Sequence, residues 1–220
     1  MTTAEAFRSG LRDMPVIAIL RGVKPEEAGE IGDVVIDAGI TVLEVPLNSP
    51  DPLESIARLT ESCGERALVG CGTVLSETQL REAHDAGARL ALHPHGDARL
   101  VEVAIELGMV SVPGVTSPTE AFAMVRAGAS ALKFFPTAIV SPASLAAMKE
   151  VLPAEVFTIA VGGISGENMG DFWAAGIDAF GVGSGLYRTG WRPERVRKEA
   201  QRIATIAADL SRSDARGFTA

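Results

Sequence analysis

Leu107-Gly108-Met109-Val110-Ser111-Val112 ends a helical pattern on a glycine and passes at once into a short apolar run. Ala38-Gly39, Ala86-Gly87, Ala127-Gly128 and Ala175-Gly176 repeat that punctuation, each just before an apolar run. Glycine takes the left-handed cap of a helix at little steric cost, so the repeat reads as helix, cap, strand. Eight apolar runs read as strands: Val16-Leu20, Thr41-Val45, Ala67-Cys71, Leu90-Leu92, Val110-Val112, Ala131-Phe134, Val156-Ile159 and Ala179-Val182. They recur roughly every 20 to 27 residues with amphipathic helical patterns between them, the spacing of strand–helix units in a closed barrel. An open doubly wound sheet is the competing architecture, but no extended linker or topological break interrupts the eight units.

The expected fold is therefore a (β/α)8 TIM barrel with an extra N-terminal helix, a single domain over residues 1–210. Pro15 opens the first strand. Arg192 to Leu210 reads as a charged helix with apolar positions at Val196, Ile203 and Ile206, and Ser211 to Ala220 as a polar, frayed tail. A chain of 220 residues with 47% apolar content can bury a sizeable core, and its net charge of -8 argues against nucleic-acid and anionic-membrane partners. The expected partner is a small molecule. No leader-like segment and no apolar stretch of membrane-spanning length is present, so a soluble cytoplasmic protein is expected. Cys63 and Cys71 are too few for a disulfide framework and read by default as reduced thiols, with a single disulfide between them as the alternative.

Functional groups of such barrels sit at the carboxyl ends of the strands. Of the four lysines, Lys24, Lys149 and Lys198 have polar neighbours, whereas Lys133 stands in Ala131-Leu132-Lys133-Phe134-Phe135-Pro136, within the sixth apolar run. Burial there lowers a lysine's pKa and leaves the neutral amine that attacks a ketone; an interior ion pair is the plainer alternative. Glu44 interrupts Thr41-Val42-Leu43-Glu44-Val45-Pro46 at the end of the second run. A carboxyl there suits general acid and base work, or a salt bridge to Arg21 or Lys133. Arg21, after the first strand, carries a planar fork for a carboxylate or for Glu44. Thr73, in Gly70-Cys71-Gly72-Thr73-Val74, offers a hydroxyl near a close backbone approach. The seventh and eighth strands run into Val161-Gly162-Gly163-Ile164-Ser165 and Gly181-Val182-Gly183-Ser184-Gly185. Paired glycine loops there, each opening a helix, match a phosphate site built of backbone N–H groups; plain tight turns are the alternative. His93-Pro94-His95 is the one histidine pair, and without further ligands it reads as a polar rim rather than a metal site. No metal and no cofactor is expected.

Leu43-Glu44-Val45-Pro46-Leu47-Asn48, Gly70-Cys71-Gly72-Thr73, Leu132-Lys133-Phe134-Phe135-Pro136, Val161-Gly162-Gly163 and Gly183-Ser184 together resemble the 2-keto-3-deoxy-phosphogluconate aldolase family over nearly the whole chain. Ile19-Leu20-Arg21-Gly22, Pro46-Leu47-Asn48-Ser49-Pro50 and Ala160-Val161-Gly162-Gly163 are similar to its phosphogalactonate branch; the phosphogluconate branch usually has arginine at Asn48 and threonine at Val161. The resemblance implies Lys133 as the imine-forming lysine, Glu44 as acid and base, and Arg21 and Thr73 at the pyruvyl end. It implies Asn48, Pro94, Phe135 and Val161 as further substrate contacts, and Gly162, Gly163, Gly183 and Ser184 as phosphate contacts. The implied activity is cofactor-independent, class I cleavage of 2-dehydro-3-deoxy-6-phospho-D-galactonate by a homotrimer. Rival readings are the same cleavage of the phosphogluconate epimer, a metal-dependent aldolase using His93 and His95, and a non-catalytic phosphosugar-binding protein. His93-Pro94-His95 departs from the family pattern, in which smaller or less basic residues flank the proline.

Overall fold

A computed structural model describes residues 2–213. A capped helix α1 (Thr3–Asp13) leads into alternating elements: β1 (Val16–Ile19), α2 (Pro25–Ile36), β2 (Val42–Pro46), α3 (Pro52–Cys63), β3 (Leu68–Gly72), α4 (Glu77–Asp85), β4 (Leu90–Leu92) and α5 (Ala98–Glu106). The second half holds β5 (Val110–Val112), β6 (Gly114–Val115), α6 (Pro118–Arg126), β7 (Leu132–Phe134), α7 (Pro142–Lys149), β8 (Thr158–Val161), α8 (Met169–Ala174), β9 (Ala179–Val182) and α9 (Pro193–Ser213).

All strand pairs are parallel, in the order β5-β4-β3-β2-β1-β9-β8-β7-β6. The two ends of that order are pieces of one strand position, parted at Pro113, which has no N–H to give a ladder. β5 pairs with β4 and β6 with β7, and the Lys133 amide donates to the Pro113 carbonyl at 2.9 Å. The ring closes with eight strand positions, a (β/α)8 barrel. The fifth expected strand, Val110-Val112, is present with those bounds, and its position resumes beyond Pro113 as β6.

Local chemistry sets the boundaries. Ser76, Asp97, Ser117 and Ser141 accept first-turn N–H bonds at the starts of α4, α5, α6 and α7. Gly39, Gly87, Gly108, Gly128 and Gly176 all take positive φ ahead of a strand, as the punctuation required. Side chains alternate across each strand, which sorts the core into two sets. Val16, Ala18, Leu20, Leu132, Phe134, Ala160, Phe180 and Val182 pack outward against the helices. Ile17, Ile19, Val42, Ile159, Val161 and Ala179 belong to the inner set, which Phe7 and Leu11 of α1 join; the Phe7 and Phe157 rings meet edge-on at 6.3 Å. The extra helix thus contributes apolar cover to the barrel's interior cluster.

Three expectations need correction. The last helix, expected to end at Leu210, runs on to Ser213, and the rest of the expected tail, 214–220, lies outside the described residues. The seventh strand is displaced from Val156-Ile159 to Thr158–Val161. The two glycine loops do not each open a helix. The loop after β8 leads through a turn to the six-residue α8. The loop after β9 forms a turn in which the Leu186 and Tyr187 amides both donate to the Gly183 carbonyl, at 2.8 and 2.9 Å.

Candidate active site

Alternation along the strands decides which polar groups enter the barrel. Glu44 shares parity with inward Val42, and Lys133 is flanked by outward Leu132 and Phe134. Both therefore face inward, near the carboxyl ends of β2 and β7. Register pairs Ile19 with Glu44, Gly114 with Lys133 and Val161 with Gly181. Lys133 is 5% exposed and Glu44 3%. Glycines make the room: a β-carbon at Gly72 would collide with the Glu44 carboxylate, and one at Gly181 would lie 2.8 Å from Val161 Cγ2.

Glu44 Oε2 is buried without a hydrogen-bond partner. Burial raises the Glu44 pKa above the ordinary carboxylate range, and the nearby Lys133 and Arg21 charges only partly oppose that rise. Burial lowers the Lys133 pKa, with Glu44 pulling the other way and Arg21 adding to the fall. The two shifts make a neutral amine and a protonated carboxyl accessible together near neutral pH, the state in which one attacks a carbonyl and the other moves a proton. Lys133 Nζ lies 4.9 Å from the centroid of the Phe135 ring.

Arg21 is placed by β1 and the turn after it. Its guanidinium donates to Asn48 Oδ1 and, at 3.3 Å, to Thr73 Oγ1, rather than to Glu44. Thr73 holds a left-handed backbone with φ of 57°, an uncommon state for a non-glycine residue that costs about 1–3 kcal/mol. That conformation follows directly on β3 and accompanies the hydroxyl's bond to Arg21. Asn48 and Thr73 thus fix one edge of the fork, which aims a cation into the barrel mouth.

A cleft of about 430 Å³ opens beside these groups. Arg21, Phe135, Val161, Gly162, Gly163, Gly183 and Ser184 of the expected residues line it. Consecutive positive φ at Gly162 and Gly163 turns the backbone away from β8, and the Gly162 carbonyl accepts from the Thr137 hydroxyl. A β-carbon at Gly162 would lie 3.0 Å from the Phe135 ring. Asn168 clamps the same loop, donating to the Gly163 carbonyl and accepting from the Ser165 amide, both at 2.9 Å.

Pro94 is not among the residues lining this cleft. Its backbone packs against Gly114, where a β-carbon would lie 2.6 Å from it. The histidine pair divides. His93 is fully buried rather than at the rim, its Nε2 3.1 Å from Ser111 Oγ. Ser111 lies between inward Val110 and Val112, so that contact belongs to the layer between barrel and helices. Burial and the Lys133 charge push the His93 pKa down to about 3, which keeps the ring neutral. His95 is exposed, 4.0 Å from Asp97. Among the described residues no group of three or more His, Cys, Asp or Glu side chains is placed to hold a metal. Contributors not singled out from the sequence include Gly72, which makes space for Glu44, Thr137 and Asn168, which hold the first glycine loop, and Arg188 and Tyr187, which line the cleft. Arg188 follows Ser184 by four residues, a spacing that carries no signal until the turn is known.

Comparison with known proteins agrees with this geometry. The sequence profile described as "Aldolase: KDPG and KHG aldolase" matches residues 7–204. The chain belongs to the KDPG and KHG aldolase family. Within that family, it is 45% identical over 196 residues to a "Probable 2-dehydro-3-deoxy-6-phosphogalactonate aldolase" of Rhizobium meliloti (strain 1021), covering 89% of this chain and 92% of that protein. It is 41% identical over 187 residues to the "2-dehydro-3-deoxy-6-phosphogalactonate aldolase" of Escherichia coli (strain K12), covering 85% and 91%. A solved family structure described as "Native KDPGal structure" superposes with a TM-score of 0.88 at 38% identity, covering 90% of this chain and 97% of that one.

Proposed function

We propose that this family member is a class I aldolase that cleaves 2-dehydro-3-deoxy-6-phosphogalactonate to pyruvate and D-glyceraldehyde 3-phosphate. The observation that carries the reading is the buried pair inside one barrel: a lysine whose pKa is lowered and a carboxyl whose pKa is raised, one oxygen unpartnered. Neutral Lys133 attacks the C2 carbonyl, and the protonated Glu44 carboxyl gives its proton to the carbinolamine hydroxyl, which leaves as water, so that a protonated imine stands beside a Glu44 carboxylate. Glu44 takes the proton of the C4 hydroxyl as the C3–C4 bond breaks, releasing the aldehyde while the imine accepts the electron pair as an enamine. The same carboxyl returns its proton to C3, and hydrolysis of the imine frees pyruvate and the amine. Arg21, held by Asn48 and Thr73, binds the substrate carboxylate, and the Gly162–Gly163 and Gly183–Ser184 loops receive the phosphate through backbone N–H groups.

The identities to the two phosphogalactonate aldolases, together with Val161 at the end of β8, support the galactonate epimer over its C4 epimer. We further propose a homotrimer, on the strength of the family resemblance, and a cytoplasmic location. Borohydride reduction in the presence of pyruvate, followed by digestion and mass spectrometry, is expected to place a covalent adduct on Lys133 and on no other lysine. Active enzyme with an unmodified Lys133 would overturn the imine mechanism. A kcat/KM strongly favouring the gluconate epimer would overturn the substrate assignment.

A further inference from the structure

We propose that Arg188 is the side chain that reads the substrate's phosphate, acting as the cationic counterpart, at the glycine loops, of Arg21 at the pyruvyl end. The inference rests on the aldolase reading above and adds a specificity-determining residue to it. Arg21 and Arg188 are the only charged residues that line the cleft among the described residues, and no carboxylate lines it. A two-ended anion, with a carboxylate on one side of the reacting carbons and a phosphate on the other, fits two separate cations better than backbone amides alone.

Arg188 is also held where it stands. The residue before it, Tyr187, is almost fully buried and its hydroxyl donates to Glu27 Oε1 at 2.7 Å. The residue after it, Thr189, donates from Oγ1 to the Gly22 carbonyl at 3.3 Å. With both neighbours anchored, the Arg188 backbone has little freedom. Its Nε donates to the Ser184 carbonyl at 2.9 Å, which ties the guanidinium to the second glycine loop. Its other face rests over Trp191 at 5.5 Å, and Arg195 lies over the same ring at 4.0 Å. The terminal guanidinium nitrogens have no protein acceptor among the described residues. A planar fork with one N–H used for aiming and the others open is the arrangement that binds a phosphate in two-point fashion, whereas an ammonium would act there as a point charge.

The test runs in the direction of synthesis, with pyruvate and either D-glyceraldehyde 3-phosphate or D-glyceraldehyde as acceptor. For Arg188→Ala the expected loss in kcat/KM is about 10- to 100-fold with the phosphorylated aldehyde, the range of a charge-assisted bond. With D-glyceraldehyde the expected change is within about twofold. Arg188→Lys should regain part of the loss. Inorganic phosphate, titrated calorimetrically into parent and variants, should bind more weakly in the same order. Equal losses on both aldehydes, or phosphate binding unchanged by Arg188→Ala, would overturn the assignment. Failure to trap a pyruvate adduct in the parent would instead overturn the aldolase reading, and the phosphate titration would still decide the role of Arg188.

Discussion

Glu44 is the residue on which burial and chemistry meet most directly. Because burial raises its pKa, the folded protein keeps the proton over a pH range in which the unfolded chain has already lost it. Stability therefore falls as pH climbs from about 4.5, the ordinary value, to the raised one. Glu44→Gln removes that fall. The variant's melting temperature, relative to the parent, is expected to be higher at pH 8 than at pH 4, while cleavage slows by roughly 10² to 10⁴ and imine formation with pyruvate stays detectable. A melting difference independent of pH, or near-normal turnover, would remove Glu44 from this role. Val161 carries a second prediction at the same scale. It is buried at the inner end of β8 and has no group with which to hydrogen-bond a C4 hydroxyl. Threonine is nearly isosteric, so Val161→Thr adds a hydroxyl worth about 0.5–1.5 kcal/mol, and the kcat/KM ratio should move toward the gluconate epimer by roughly 2- to 13-fold. A ratio that stays where it was would refute the claim.

Elements position these residues through what they leave out. β3 ends on Gly72 because the Glu44 carboxylate from β2 occupies the space a side chain would need. Gly72→Ala must therefore displace the carboxylate or bend the strand end, and kcat is expected to fall at least about tenfold while the pyruvate adduct still forms, since loss of one positioned acid–base group costs 10²–10⁴. Steady-state kinetics alongside borohydride trapping would check it, and full activity would mean that Glu44 works equally well from another position. The break at Pro113 is a feature of the same kind. It divides one strand position into β5 and β6, and Gly114 beyond it admits the backbone of His93 and Pro94. The apolar run at Val110-Val112 is legible in the sequence, but its continuation past a proline is not, because the partners that complete the ladder come from β7, some twenty residues on.

The whole molecule buries the proposed catalytic pair, Glu44 and Lys133, inside a ring of eight strand positions and presents two cations, Arg21 and Arg188, at the mouth. If it assembles as proposed, light scattering on the purified protein should return three times the chain mass, and a monomeric mass at working concentration would overturn the trimer. The sequence by itself determined the alternation of helix, glycine cap and strand, since cap geometry and apolar runs are local properties. It also determined which lysine and which glutamate are anomalous, because a charge within an apolar run is visible without coordinates. Tertiary structure alone decided the rest. Inward parity and register bring Glu44 and Lys133, 89 positions apart, into one interior, and Gly72 is needed only once that carboxylate lies over it. His93 looked like rim and became core, because the layer between strands and helices closes over it with Ser111 as partner. Arg188 joins the site through contacts with Glu27, Gly22 and Ser184 made by itself and its neighbours, and such long-range anchoring leaves no periodic trace in the chain.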